Sequence, residues 1–333
     1  MAKRLKIGLG LAILTLVVIG MVATSGPPPP TPTPPGSFSF AVLGDAPYYP
    51  WETVQYRLVL QTLQAHDVSW VLHVGDIFWH PCTDEMYRRS LGWFNGLRHP
   101  VIFTPGDNEW ADCWEQGSGG YDPLDRLQRI REIFFDHPAR SLGGSSMPLV
   151  AQGGGGPFAE FVENARWTQE GILFATLNIP GSMNALETAS QRTPAALAAA
   201  KRRMDAATAW VRESFAEATA TGATAVVLAF HANPGFEELV GDPYREAYDP
   251  FIRGLEEETE RFPRQVVILH GDGHDYTVDH PLTRRTTGIR LENLTRLQVP
   301  GSPEVGWVRV VVTPGPEPRF SFTKLVVPRW KYW

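Results

Sequence analysis

Short apolar runs recur along the chain, separated by longer stretches in which apolar positions return every three or four residues. The short runs are Phe38 to Leu43, Trp70 to Val74, Val101 to Thr104, Ile172 to Leu177, Ala225 to Phe230 and Val266 to Leu269. Their length and their β-branched and aromatic content predict buried strands. The longer stretches predict helices. Glu52 to His66 joins the first two strands, and Pro194 to Thr219 carries Met204, Ala207, Val211, Phe215 and Ala218 along one stripe. Strands alternating with helices point to an α/β fold around parallel or mixed sheets. Between Ile289 and Val327, the runs Val308 to Val312 and Phe320 to Val326 alternate with period two and are broken by Pro and Gly. They predict antiparallel strands closing a second sheet. The Gly-rich stretch from Gly143 to Gly156 has no phosphate-cradling Lys and opens no helix, so it reads as a surface loop.

Composition narrows the class. The chain has 333 residues, 43% hydrophobic and 11% aromatic, enough to bury a large core. One domain from residue 37 to 333 is the economical reading. A formal charge of -6 supplies no general basic field, so nucleic acid is a poor candidate partner. At the N-terminus, Lys3, Arg4 and Lys6 precede the apolar stretch Ile7 to Val22 and the small residues Ala23 to Gly26. This predicts a signal peptide over residues 1–25 and an exported domain, periplasmic or extracellular, with an uncleaved membrane anchor as the alternative. The apolar stretch is somewhat short of the ~20 residues a spanning helix needs. Residues 26–36, rich in Pro, form a stiff extended linker. Oligomeric state is not legible from these features.

Chemistry concentrates at the strand ends. Gly44-Asp45, Gly75-Asp76, Gly106-Asp107 and Gly271-Asp272 each follow a predicted strand, and a fifth strand ends in His231. Loops at the carboxyl ends of strands in an open α/β sheet converge on one crevice, so these residues are expected to meet. Four converging carboxylates repel one another unless a cation is bound. His231 and His274 add imidazole nitrogens to that oxygen set. Two cysteines, Cys82 and Cys113, follow the second and third of these motifs, and export favours pairing them over leaving two buried thiols. The absence of C-x-x-C spacing argues against a zinc site built on them.

The order of motifs resembles the calcineurin-like metallophosphoesterases: Gly44-Asp45, Gly75-Asp76 within HVGDIFW, TPGDNEW from Thr104 to Trp110, FHANP from Phe230 to Pro234, and HGDGHDY from His270 to Tyr276. The resemblance implies a four-layer α/β/β/α sandwich with two mixed sheets and a metal site at the strand C-terminal ends. It implies two divalent metal ions, one held by Asp45 and His274, the other by Asp107, His231 and Asp272, with Asp76 touching both. It also implies hydrolysis of a small-molecule phosphate ester, a mono- or diester, by in-line attack of a metal-bridging hydroxide. Asp76 and Asn108 would be the catalytic residues, Asp76 spacing the ions and Asn108 bonding a phosphate oxygen.

This chain departs from the family pattern at three places. Pro47 stands where a His is usual and has no ligand atom. Asp107-Asn108 replaces Asn-His, and Asp272 replaces the first His of the last motif. The two added carboxylates bring the total to four, which about neutralise two divalent ions and favour manganese or magnesium, with iron or zinc as further candidates. Asn108 cannot titrate, so leaving groups that need no protonation are preferred. Two other functions compete: a non-hydrolytic metal-binding protein of the same fold, and a metal-free glycoside hydrolase using two of the carboxylates, which leaves His231 and His274 without a role. Among neighbours, Tyr48 reads as packing over the site in preference to a phenolate ligand, Glu109 as an orienting or a solvated carboxylate, His80 as an exposed loop histidine in preference to a replacement ligand or proton donor, and His270 equally as a site residue or a buried strand residue. Trp51, Trp79, Trp110 and Trp114 either wall a cleft or pack in the core.

Overall fold

A computed structural model describes residues 31–328. The signal or anchor segment therefore lies outside the described residues, as does the start of the linker. The strands in chain order are β1 (Phe38–Leu43), β2 (Val71–His73), β3 (Pro100–Phe103), β4 (Leu142–Gly143), β5 (Val150–Ala151), β6 (Ala165–Gln169), β7 (Ile172–Thr176), β8 (Ala225–Ala229), β9 (Gln265–His270), β10 (Thr277–Asp279), β11 (Leu294–Gln298), β12 (Gly306–Thr313) and β13 (Arg319–Val326). They form two mixed sheets, ordered β13-β12-β1-β2-β3-β4 and β10-β11-β9-β8-β7-β6-β5. All six strands expected from apolar runs are present.

Why these runs are continuously apolar is visible in the layers. Along β1, Phe40 and Val42 face a core between the two sheets, while Ala41 and Leu43 face the helices Pro50–Ala65, Asp84–Gly96 and Pro123–Phe134. In the second sheet, Val227 of β8 and Val267 of β9 join the same middle core. Their neighbours Val226, Leu228, Val266 and Ile268 pack on the helices Pro194–Thr221 and Asp249–Arg261. Strands buried on both faces need apolar residues at every position. The result is four layers, helices on each outside and two sheets within, an α/β/β/α sandwich. Aromatic residues fill the middle layer, where Phe40 stacks on Trp70 at 5.1 Å and Trp167 on Phe174 at 5.3 Å.

The long helix runs from Pro194 to Thr221. Its N-terminus is capped by the Thr193 hydroxyl, which accepts from the Ala196 amide at 3.2 Å, and its end is turned by Gly222 at φ 71°. The expected stripe of Met204, Ala207, Val211, Phe215 and Ala218 is buried throughout.

Two expectations need correction. The C-terminal hairpin of β12 and β13 is antiparallel, but β12 pairs with β1 and closes the first sheet, not the second. The alternation marks Val308, Val310 and Val312 as one buried face, yet says nothing about which sheet edge receives it. The Gly-rich stretch is mostly loop, but it also carries Val150–Ala151, which extends the edge of the second sheet against β6.

Cys82 and Cys113 form a disulfide across a sequence separation of 31. It ties the segment after Asp76 to the segment after Asp107. In the chain-entropy account a loop of that length stabilises by about 3–4 kcal/mol. The Cys82→Ser, Cys113→Ser double variant is therefore expected to lose about that much unfolding free energy in urea titration. Equal stability of the oxidised and reduced wild-type chain would contradict it.

Candidate metal centre

The parallel strands of both sheets point their carboxyl ends at one place. Asp45, Asp76 and Asp107 follow β1, β2 and β3 of the first sheet; His231, Asp272 and His274 follow β8 and β9 of the second. Four of these six residues have left-handed backbone: Asp45 (φ 55°), Asp76 (φ 56°), Asp272 (φ 67°) and His274 (φ 62°). Such conformations cost of order 1–3 kcal/mol each and cluster where function requires them. Here the tight turns are held by bonds between loops. The Asp272 amide donates to Asp45 Oδ1 at 2.8 Å, the Asn108 amide to Asp76 Oδ1 at 3.1 Å, and the Asn233 amide to Asp272 Oδ2 at 2.7 Å. Glycine lets these groups approach, since a Cβ on Gly181 would sit 2.7 Å from both Asp107 Oδ2 and Asp272 Oδ1.

The side chains converge on His231. Its Nε2 lies 2.8 Å from Asp107 Oδ1, 3.4 Å from Asp76 Oδ1 and 3.9 Å from Asp272 Oδ1. Two triads, Asp45–Asp76–His231 and Asp107–His231–Asp272, each offer ligand atoms within 4.8 Å of one another. His274 stands at the edge, a third exposed, with Nε2 3.8 Å from Asp45 Oδ1.

Both imidazoles are pinned in one tautomer. His231 Nδ1 is 2.7 Å from the Val74 carbonyl and His274 Nδ1 is 2.7 Å from the Ser302 carbonyl. A carbonyl only accepts, so each Nδ1 carries the proton and each Nε2 presents its lone pair inward, the arrangement typical of metal-bound histidine. Asp45 Oδ2, Asp107 Oδ1 and His231 Nε2 are buried and have no hydrogen-bond partner among the described residues. With a neutral ring, the Nε2 lone pair would face Asp107 oxygen lone pairs across 2.8 Å. Only a cation or a proton relieves that repulsion, so these residues fit an oxygen-rich divalent metal site.

Titration follows the same logic. Burial pushes Asp45 up to about 7 and Asp272 up to about 6, and it also lifts Asp76 well above the usual carboxylate range. Although burial opposes it, the carboxylates of Asp76 and Asp107 hold the metal-free His231 well above ordinary imidazole values. Burial lowers His274, favouring its neutral form.

Neighbouring residues are more involved than their sequence suggests. The Tyr48 hydroxyl donates to Asp76 Oδ2 and lies 3.2 Å from His274 Nε2, so Tyr48 is part of the site and not merely packed over it. Burial and the Asp76 charge keep its phenol protonated. Glu109 is fully buried, accepting from the Ile77 amide at 2.5 Å and the Gly106 amide at 2.9 Å, and so braces the Asp76 loop against the Asp107 loop. Ser182 Oγ reaches Asp107 Oδ2 at 2.8 Å and Asp112 Oδ2 at 3.0 Å. One hydroxyl proton cannot serve both carboxylates. Asp112 supplies the second, as burial and the Asp107 charge push it up to about 8. No pattern in the sequence marks Ser182. His80 is exposed, as expected, and His270 is buried. Trp110 is buried beneath Arg203 at 4.7 Å and belongs to the core.

No family model matches the chain, and no curated protein matches it. Among solved structures it is similar to phosphopantetheinyl hydrolase from Mycobacterium tuberculosis, at 15% identity over 80% of this chain and 90% of that one. The TM-score is 0.37, too loose a likeness to bear on chemistry.

The buried carboxylates set a pH signature. Between the ordinary value of 3.8 and the raised values of about 7 for Asp45 and about 6 for Asp272, these two groups bind more protons in the folded metal-free chain than in the unfolded chain. Stability from these groups is therefore lost as pH rises through that window, and His231, also raised, acts in the same direction. The melting temperature of chelator-treated protein is expected to fall from about pH 6.5 to 8, above the range in which buried His73 and His270, both lowered to about 3, act in the opposite direction. Excess manganese should restore it by a margin that grows with pH, reaching about 2.7 kcal/mol at a hundredfold excess over Kd. A metal-free melting temperature that rises across this window would contradict the site.

Proposed function

We propose that the chain is an exported, metal-dependent phosphoric ester hydrolase of the calcineurin-like metallophosphoesterase type, with residues 37–333 as its domain. The observation that carries this reading is the pair of Nδ1-pinned histidines whose Nε2 atoms face buried carboxylates with unsatisfied oxygens. Asp107, His231 and Asp272 would hold one divalent ion and Asp45 with His274 the other, Asp76 contributing to both. Manganese or magnesium suits four carboxylates best, with iron and zinc as further candidates. When bound, such ions supply Lewis acidity and a nucleophile at neutral pH.

The chain's own residues do the rest. Asp76 is fixed on one oxygen by the Asn108 amide and on the other by the Tyr48 phenol, so its carboxylate cannot swing. Asn108 makes no side-chain hydrogen bond among the described residues and offers its amide to a phosphoryl oxygen. Because residue 108 holds no proton to give, alcohols of low pKa leave most readily. The disulfide between Cys82 and Cys113 is in keeping with an oxidising, exported setting.

Pro47 supports a second reading. With no ligand atom beside Asp45, the fold could bind metal without turning over an ester. Turnover separates the two. Chelated wild-type protein is expected to be inactive on phenyl phosphate and to recover with manganese. Asp76→Ala should lower kcat/KM by more than the roughly 10–100-fold expected of an outer partner. Metal binding without turnover of any mono- or diester would leave the non-hydrolytic reading standing, and hydrolysis surviving both Asp76→Ala and chelation would refute a metal-dependent enzyme.

A further inference from the structure

Beside His274 the surface opens into a cavity of about 420 Å³ lined by Tyr48, Tyr49, Trp79, His274, Ser302 and Pro303. Two of its lining residues belong to the candidate metal centre: His274, and Tyr48, whose hydroxyl bonds Asp76. The cavity therefore borders the candidate metal centre. One wall is aromatic. Tyr49 stacks on Trp51 at 4.6 Å with 4° between the ring planes, Trp79 meets Tyr49 edge-on at 5.4 Å, and Tyr48 lies 6.2 Å from Trp79. Trp51 is 54% exposed and Trp79 38% exposed. Large aromatic side chains left this open, side by side, hold hydrophobic surface in water that a ligand could cover.

A second cavity, also about 420 Å³, borders His274 too and shares Ser302 and Pro303. Its character is different: Asp275, Glu304 and Lys324 line it, with Lys324 paired to Glu304 at 2.6 Å. Two flanks of one histidine thus differ in chemistry, one charged and one aromatic. The aromatic flank has no charged group in its lining apart from His274, so it offers nothing to a second phosphate or a carboxylate. What it offers is π-face area.

We infer that the aromatic wall of Tyr49 and Trp79, with Trp51 stacked behind Tyr49, binds the leaving group of the ester, and that this group is flat and neutral, a nucleobase or an aryl ring. The inference rests on the hydrolase reading for the word ester, while the wall itself rests on geometry alone. Stacking of a base on an aromatic side chain is worth about 1–3 kcal/mol, or roughly 5–150-fold in affinity.

The test compares adenosine 5′-phosphate, phenyl phosphate and glycerol 3-phosphate with manganese, on wild-type protein and on the Trp79→Ala and Trp79→Phe variants. Adenosine 5′-phosphate and glycerol 3-phosphate both release a primary alcohol, so their ratio of kcat/KM isolates contact with the flat group. In Trp79→Ala that ratio is expected to fall about tenfold, carried by KM, and Trp79→Phe should retain most of it. A fall for adenosine 5′-phosphate points to a nucleobase, and a fall confined to phenyl phosphate, measured against glycerol 3-phosphate, points to a small aryl group. Unchanged ratios, or equal losses on all three esters, would overturn the inference. If none of the three is turned over, the hydrolase reading has failed by itself. Calorimetric affinities for the same three compounds then decide the wall: selective weakening of the flat ligands in Trp79→Ala upholds it, and equal affinities overturn it.

Discussion

Mutual repulsion among Asp45, Asp76, Asp107 and Asp272 is the constraint around which the rest of the molecule is arranged. Carboxylates packed this closely cannot all stay ionised without positive charge among them. The backbone supplies part of it, because three loop amides, at Asn108, Asn233 and Asp272, donate to these side chains. His231 supplies another part when protonated, and divalent cations fit where its proton would otherwise stand. The left-handed turns at Asp45, Asp76, Asp272 and His274 follow from the same need, since they aim short side chains back over the strand ends.

Placement of the cluster depends on the seam between the sheets. His231 belongs to the second sheet, yet its Nδ1 is bonded to the Val74 carbonyl at the end of β2 in the first. Close by, the Thr104 hydroxyl after β3 donates to the Leu177 carbonyl after β7 at 2.9 Å. Beneath these bonds Val42, Leu72, Val74, Ala229, Leu269 and Val299 form part of the middle core. A methylene removed there leaves a cavity that neighbouring atoms close only in part. Packing in the middle layer therefore sets the distance between Asp45, Asp76 and Asp107, which arrive on the first sheet, and His231, Asp272 and His274, which arrive on the second.

The strand runs and the G-D tips were legible because buried strands must be apolar at every position and because tight turns admit few residues. Convergence of Asp45, Asp76, Asp107 and Asp272 followed from those tips, and that of His231 from its place at a fifth strand end. The destination of β12 was not legible, because period-two alternation specifies a buried face and not the strand beside it. Tyr48 and Glu109 were visible as neighbours of motif residues, but a phenol that bonds a carboxylate and one that packs beside it share the same local sequence. Ser182 was out of reach altogether: it arrives from a loop 75 residues beyond Asp107.

That loop shows how much the structure commits to holding Asp107. Ser182, Met183, Asn184 and Ala185 all have left-handed backbone, with φ between 49° and 64°. At roughly 1–2 kcal/mol for each non-glycine residue, the turn cannot persist on its own. Buried Arg203 grips it, donating to Asn184 Oδ1 at 2.9 Å and to the Asn184 carbonyl at 2.6 Å. Tyr248 completes the hold, its hydroxyl donating to the Pro180 carbonyl and accepting from the Asn184 amide, both at 3.1 Å. Neither residue approaches a carboxylate of the cluster in these bonds. Their work is to keep Gly181 close against Asp107 and Asp272 and to set the Ser182 hydroxyl between Asp107 and Asp112. A strained turn clamped by a buried arginine and a buried tyrosine thus fixes the oxygens it orients, in a place where a cation could use them.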